Sequence, residues 1–329
     1  MPSLFDIAAI GNAIVDVIAP ASEAFLEAEG LTKGAMMLID EAQAQALYKR
    51  MAPGVEASGG SAANTAAGVA SLGGRAAYLG KVADDQLGEV FAHDMRAIGV
   101  DFRGSPLAGG PATARCLANV TADGERTMCT YLGASVELRD DDVDKEVVEG
   151  AEILYLEGYL FDPPAARRAF AKAAGLARGA GRKIALSLSD AFVVDRHREA
   201  LLGFISGQVD IVFANEVELL SLFSTDDMTK AMAAIVELTA IAAVTRGESG
   251  SVILRGAESL PIKACPVEKV IDTTGAGDQY AAGFLFALAG GRSLDACGRL
   301  ASLAAAEVIS HYGPRPQVSL RELASSKGL

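Results

Sequence analysis

Apolar positions along the chain fall into two rhythms. Residues 5–11 (FDIAAIG) form a continuous apolar run of strand length, and residues 76–80, 153–157, 183–189, 209–214 and 241–245 repeat it. Between the later runs lie segments with apolar residues at helical spacing, 164–178, 196–206, 215–223 and 230–238. Apolar runs of about four to eight residues suit strands buried on both faces, and strands alternating with helices imply a parallel sheet with helices on both sides.

Other segments break that rhythm. Residues 112–121 and 127–132 flank a turn at 122–126 and predict a β-hairpin, which does not continue a strand–helix–strand series. With 14–19 and 35–39 it predicts a second, small sheet, a lid over a site, built from segments about 14–20, 34–39 and 112–132 inserted in one domain of residues 1–329. Helices are predicted at 22–29, at 40–51 with Asp40 as N-cap, after a lead-in at 81–88 through Gly99, and at 294–309. A hairpin at 251–254 and 259–263 precedes a predicted strand at 267–271, which feeds a helix opening at Gly275.

The composition narrows the classes. Half of the residues are hydrophobic, enough for a large core, and the net charge is −13 with no basic run, which argues against a nucleic-acid surface. The first residues carry Asp6 and no basic start, unlike a signal peptide, and no apolar run approaches the ~18 residues of a membrane span. Cys116, Cys129, Cys265 and Cys297 form no CxxC pair, so they read as buried hydrophobes in a reducing, cytoplasmic setting.

The densest chemistry is IDTTGAGDQYAAGFLFAL, residues 271–288. Gly275, Ala276 and Gly277 open directly into a helix, leaving N–H groups at the positive end of its dipole, an anion site made of main chain. Asp278 in the first turn would repel an anion, but as a base it can accept the proton of a hydroxyl attacking a phosphoryl group held there. The blander alternative is an acidic residue that suits the dipole. SGGSAANTAAG, from Ser58, opens a second small-residue helix, where Gly60 and Asn64 offer donors and acceptors to a polyhydroxyl ligand. Asn12 and Asp16 follow the first strand, where open α/β sheets bind ligands. In ANEVE, Asn215 and Glu218 fit either an outer sphere for magnesium or a capping box. TRGESG, from Thr245, is a glycine-bearing turn after a strand, and no Walker A loop is present.

GNAIVD, GGSAANTAAGVASLG, GKVADDQLG, NEVE, TRGESG and DTTGAGD, in that order over nearly the whole chain, resemble the ribokinase-like (PfkB) carbohydrate and nucleoside kinase family. The resemblance implies a three-layer α/β fold with a mostly parallel central sheet and a small β-sheet lid. It implies ATP and Mg²⁺, with a monovalent cation in some members, and small-molecule partners rather than nucleic acid or membrane. A monomer and a homodimer paired through the lid both stay open. Asp278 would be the catalytic base, and Gly275, Ala276 and Gly277 the anion hole. Asn12, Asp16, Gly60 and Asn64 would hold the acceptor, Asn215, Thr245, Gly247 and Gly250 the nucleotide, and Glu218 the metal. GN with an aspartate four residues on, GGSxxN, and LSLSDAF (residues 186–192) are most similar to adenosine kinase, with Phe192, Tyr131 and Phe161 as aromatics for a base. Kinases of ribose, fructose or 2-keto-3-deoxygluconate share the framework, and a catalytically silent nucleotide-binding regulator is a remoter reading.

Overall fold

A computed structural model describes residues 3–329. In chain order, β1 (Phe5–Ile10), β2 (Ile14–Pro20), α1 (Glu23–Ala28), β3 (Met36–Leu38), α2 (Glu41–Arg50), β4 (Val55–Gly59) and α3 (Ser61–Ser71) come first. Then follow β5 (Ala76–Leu79), α4 (Gln86–Ala97), β6 (Val100–Phe102), β7 (Ala114–Val120), β8 (Arg126–Tyr131), α5 (Lys145–Gly150), β9 (Ala151–Glu157), α6 (Pro164–Gly179) and β10 (Lys183–Ser187). The remainder is α7 (Ala191–Gln208), β11 (Ile211–Asn215), α8 (Glu216–Phe223), α9 (Met228–Ile235), β12 (Ile241–Thr245), β13 (Ser251–Arg255), β14 (Glu258–Ile262), α10 (Ala276–Ala289), α11 (Leu294–Val308) and α12 (Leu320–Ser326).

The large sheet has nine strands in the order β14-β13-β12-β11-β10-β9-β1-β5-β6, parallel from β12 to β6 and closed at one edge by the antiparallel β13–β14 hairpin. Burial on both faces shows in β1: Ile7 and Ala9 join one core with α3, α10 and α11, while Ala8 and Ile10 join the other with α6 and α7. The small sheet, β3-β8-β7-β2-β4, pairs all the predicted segments with one another and with none of the large sheet's strands. Asp16 stands in it opposite Cys116 of β7 and Ala57 of β4.

Four differences from the sequence reading have physical causes. Residues 267–271 are irregular, not a strand: β14 already forms the sheet edge, and Ile271 instead donates its N–H to Ile309 O at 2.8 Å. β4 is a fifth strand of the small sheet that the small residues Ala57, Ser58 and Gly59 disguise as loop. α7 starts at Ala191 because Asp190 caps it, and a non-helical His197 breaks the apolar rhythm. The short elements β6, α5 and α12 have too few apolar positions to show a period.

Candidate active site

The site is built where α3 and α10 start beside the carboxyl ends of β1 and β9. Their close approach depends on small side chains: a Cβ on Gly68 of α3 would lie 2.6 Å from Ala282 Cβ of α10. Gly275 sits at φ +79°, and a Cβ there would meet the Pro314 Cα and O at 2.6 Å, so only glycine fits the turn into α10. Asp272 shapes the preceding turn, accepting the Thr274 N–H at 3.0 Å, the Thr274 hydroxyl at 2.7 Å and the Gly313 N–H at 2.9 Å. At the start of α10 the Ala276 N–H donates to Thr273 O at 3.2 Å, the next N–H groups have no acceptor within the helix, and Gly275, Ala276 and Gly277 line the cavity.

Asp278 is the hub. Ser61 donates its hydroxyl to Oδ1 at 2.6 Å, and Asn64 donates Nδ2 to Oδ2 at 3.0 Å. Burial raises its pKa above the ordinary carboxylate value, and these two donors and the Arg315 guanidinium pull it back. Asp16 is pushed up to about 6, mainly by burial, against the opposing charges of Arg315 and Arg126. Burial thus shifts both carboxylates upward, as at many functional sites.

Glu157, at the end of β9, was not signalled by any local motif. It accepts the Asn12 N–H at 3.2 Å, Asn12 Nδ2 at 2.8 Å and the Ala62 N–H at 2.8 Å, tying the turn after β1 to the start of α3. Burial pushes it up to about 7. Asn12 is thereby held by Glu157, with its Oδ1 buried and without a protein partner among the described residues. Gly60, at φ +93°, lets the chain turn into α3, where a Cβ would stand 2.2 Å from Asn12 O.

On the other side of the cavity, Asn215 and Glu218 form the capping box of α8: Asn215 Oδ1 accepts the Glu218 N–H at 2.8 Å, and Glu218 accepts Asn215 N and Nδ2 at 3.0 and 2.8 Å. Burial pushes Glu218 up to about 7 as it faces the cavity. Thr245 lies in register with Asn215 on the adjacent strand and also lines the cavity. Gly247 and Gly250 occupy the turn into β13, outside the cavity wall.

The cavity has a volume of about 650 Å³. Ile14, Met36, Leu38 and Met128 of the small sheet give it an apolar wall, and Phe192, 73% exposed, stands at its rim. Of the other two aromatics suggested by the sequence, Phe161 packs in the core against Phe170 and Phe204, and Tyr131 donates its hydroxyl to Glu41; neither lines the cavity. Besides Glu157, the sequence reading passed over Ser61, Gln279 and Arg315. Gln279 donates to Asn64 O at 3.0 Å and Pro314 O at 3.1 Å, and Arg315 donates to Asn64 Oδ1 at 3.2 Å. The one available signal was Arg315 between two prolines in YGPRPQ, a rigid mount for a charge.

A family model described as pfkB family carbohydrate kinase matches residues 6–320. An adenosine kinase from Sinorhizobium meliloti superposes with a TM-score of 0.91 at 55% sequence identity, covering 98% of this chain and 99% of its own. A probable sugar kinase protein from Rhizobium etli CFN 42 superposes with a TM-score of 0.92 at 52% identity, covering 99% of each chain. Probable fructokinase-3 of Arabidopsis thaliana is 30% identical over 238 residues, 70% of this chain and 69% of that protein.

Proposed function

The chain belongs to the pfkB family of carbohydrate kinases and is an ATP-dependent phosphotransferase with an alcohol acceptor, and from that premise we propose that it phosphorylates the primary hydroxyl of a nucleoside, adenosine before others. The observation that carries this reading is one cavity lined both by the apolar Ile14, Met36, Leu38 and Met128 and by the polar Asp16, Asn64 and Asp278. A nucleoside divides in the same way, a planar base for the wall and a ribose for the carboxylates. The likeness to the Sinorhizobium meliloti adenosine kinase supports it, while the fructokinase likeness keeps a sugar as the second reading.

In the proposed reaction Asp16 accepts hydrogen bonds from ribose hydroxyls, and Asp278, aimed by Ser61 and Asn64, takes the proton of the primary hydroxyl as it attacks the γ-phosphorus. The N–H groups after Gly275 stabilise the equatorial oxygens of the phosphoryl group. Among the described residues no three metal-ligating side chains converge, so a magnesium ion would take most ligands from phosphate and water. The buried Glu218 carboxylate, paired with Asn215, fits an outer-sphere role there, where the ion would neutralise charge on the transferring group.

The test is ADP release from Mg-ATP with adenosine, ribose, fructose and 2-keto-3-deoxygluconate offered separately. Turnover on adenosine is expected, with kcat lowered about 10²-fold or more in Asp278→Asn. Turnover on fructose alone would move the substrate, and near-normal kcat in the variant would remove Asp278 as base.

A further inference from the structure

The loop after α11 carries a charge that the transfer reaction as described leaves unused. Arg315 is set into the protein beside three carboxylates: Asp94 of α4 at 3.3 Å, and Asp16 and Asp278, whose fields it feels. Its Nη1 donates to Ser58 Oγ at 2.6 Å, and Ser58 in turn donates both its N–H and its hydroxyl to Asp94. Its Nε donates to Asn64 Oδ1 at 3.2 Å. The loop cannot drift away from the site, because Pro314 is wedged against Gly275 and its carbonyl accepts from Gln279.

The amide of Asn64 can lie two ways, and a guanidinium decides between them. Every polar hydrogen of arginine donates and none of its atoms accepts, so the end of the amide that faces Arg315 must be oxygen. The nitrogen then faces Asp278, whose ionised oxygens only accept. Reversing the amide would set donor against donor and acceptor against acceptor at once. We propose that Arg315 is a positioning residue of phosphoryl transfer, fixing the Asn64 amide toward Asp278 and placing a buried positive charge beside Asp278 and Asp16. The inference rests on the reading of Asp278 as the base.

The groups facing Asp278 make that charge necessary. From β2 comes Asp16, from β9 Tyr155 and Glu157, from the turn after β9 Tyr159, and from α3 the neutral Ser61 and Asn64. Burial favours the protonated acid, and a protonated Asp278 cannot accept the hydroxyl proton. Arg315 opposes that effect.

Two measurements on wild type, Arg315→Gln and Arg315→Lys test this: kcat against pH with adenosine and Mg-ATP, and ¹³C NMR titration of the aspartate carboxyl carbons in substrate-free protein, assigned with Asp278→Asn. In Arg315→Gln the acid limb of kcat and the Asp278 titration are expected to move up by about one pH unit, the scale of losing a nearby opposite charge. In Arg315→Lys the charge remains and the fork is lost, so the titration should stay near wild type while kcat at its optimum falls about tenfold. A glutamine variant that titrates and turns over with the wild-type pH profile overturns the proposal. If glutamine prevents folding, the lysine variant decides, and wild-type kcat there overturns it. The NMR titration needs no turnover, so a wild type inactive on every acceptor would refute the kinase reading separately from the Arg315 result.

Discussion

At the scale of single residues, the site carries its carboxylates at a cost to the fold. Burial pushes the Asp16 pKa up to about 6 from the 3.8 of a free aspartate, so the folded protein binds more protons than the unfolded one between those values. Stability therefore falls as pH rises through that window, and the penalty is fully present above about pH 6. Asp16→Asn is expected to unfold at higher temperature than wild type at pH 8, by an advantage on the order of 3 kcal/mol, and to lose that advantage near pH 4. Thermal melts across pH check it, and an advantage that grows toward acid would show the sign to be wrong. The same variant should raise the acceptor KM, since hydroxyls lose a charged acceptor. Asp278 and its glycines were legible in the sequence because the motif is contiguous. Glu157 and Arg315 were not, because the partners that give them meaning, Ala62 and Asn64, lie 95 and 251 positions away.

At the scale of elements, the anion site depends on one left-handed turn. Gly275→Ala adds a methyl where the Pro314 backbone stands 2.6 Å away and forces a side chain to φ +79°, a conformation that alone costs about 1–2 kcal/mol. The turn must shift, carrying the first N–H groups of α10 off the phosphoryl position. The expected result is a kcat at least about tenfold lower with a smaller change in acceptor KM, since those donors act mainly on developing charge. A variant with normal kcat would mean that the amides do not serve the transfer. The strands of the large sheet and the helices that cover it were readable because each is long enough to show its period. The segment 267–271 has the apolar residues of a short strand and is not one, because Ile271 gives its N–H to Ile309 O after α11 rather than to a neighbouring strand.

At the scale of the whole molecule, two sheets share one cavity, and the small one is linked to the large one by few connections. The turn after β1 leads into β2, and Arg126 of β8 reaches across to Asp272, 2.9 Å away, at the turn that shapes the anion site. On the small sheet's edge strand β3, Met36 and Leu38 are 52% and 62% exposed although they line the cavity. Apolar side chains left half in water at a ligand site have area still to bury, which is the arrangement expected of a lid that closes on its acceptor. Returning one such side chain to an apolar contact contributes on the order of 1 kcal/mol. Leu38→Ser should therefore raise the acceptor KM about fivefold, and a better-hydrated site should release more ADP without acceptor phosphorylation. Hydrogen exchange supplies the independent measurement: adenosine should slow exchange in residues 14–20, 36–38 and 114–131, while the buried strands of the large sheet change little. Unchanged exchange in the small sheet, together with an unchanged KM in Leu38→Ser, would mean that this sheet is a fixed wall, and that water must be kept from the γ-phosphoryl by the acceptor alone.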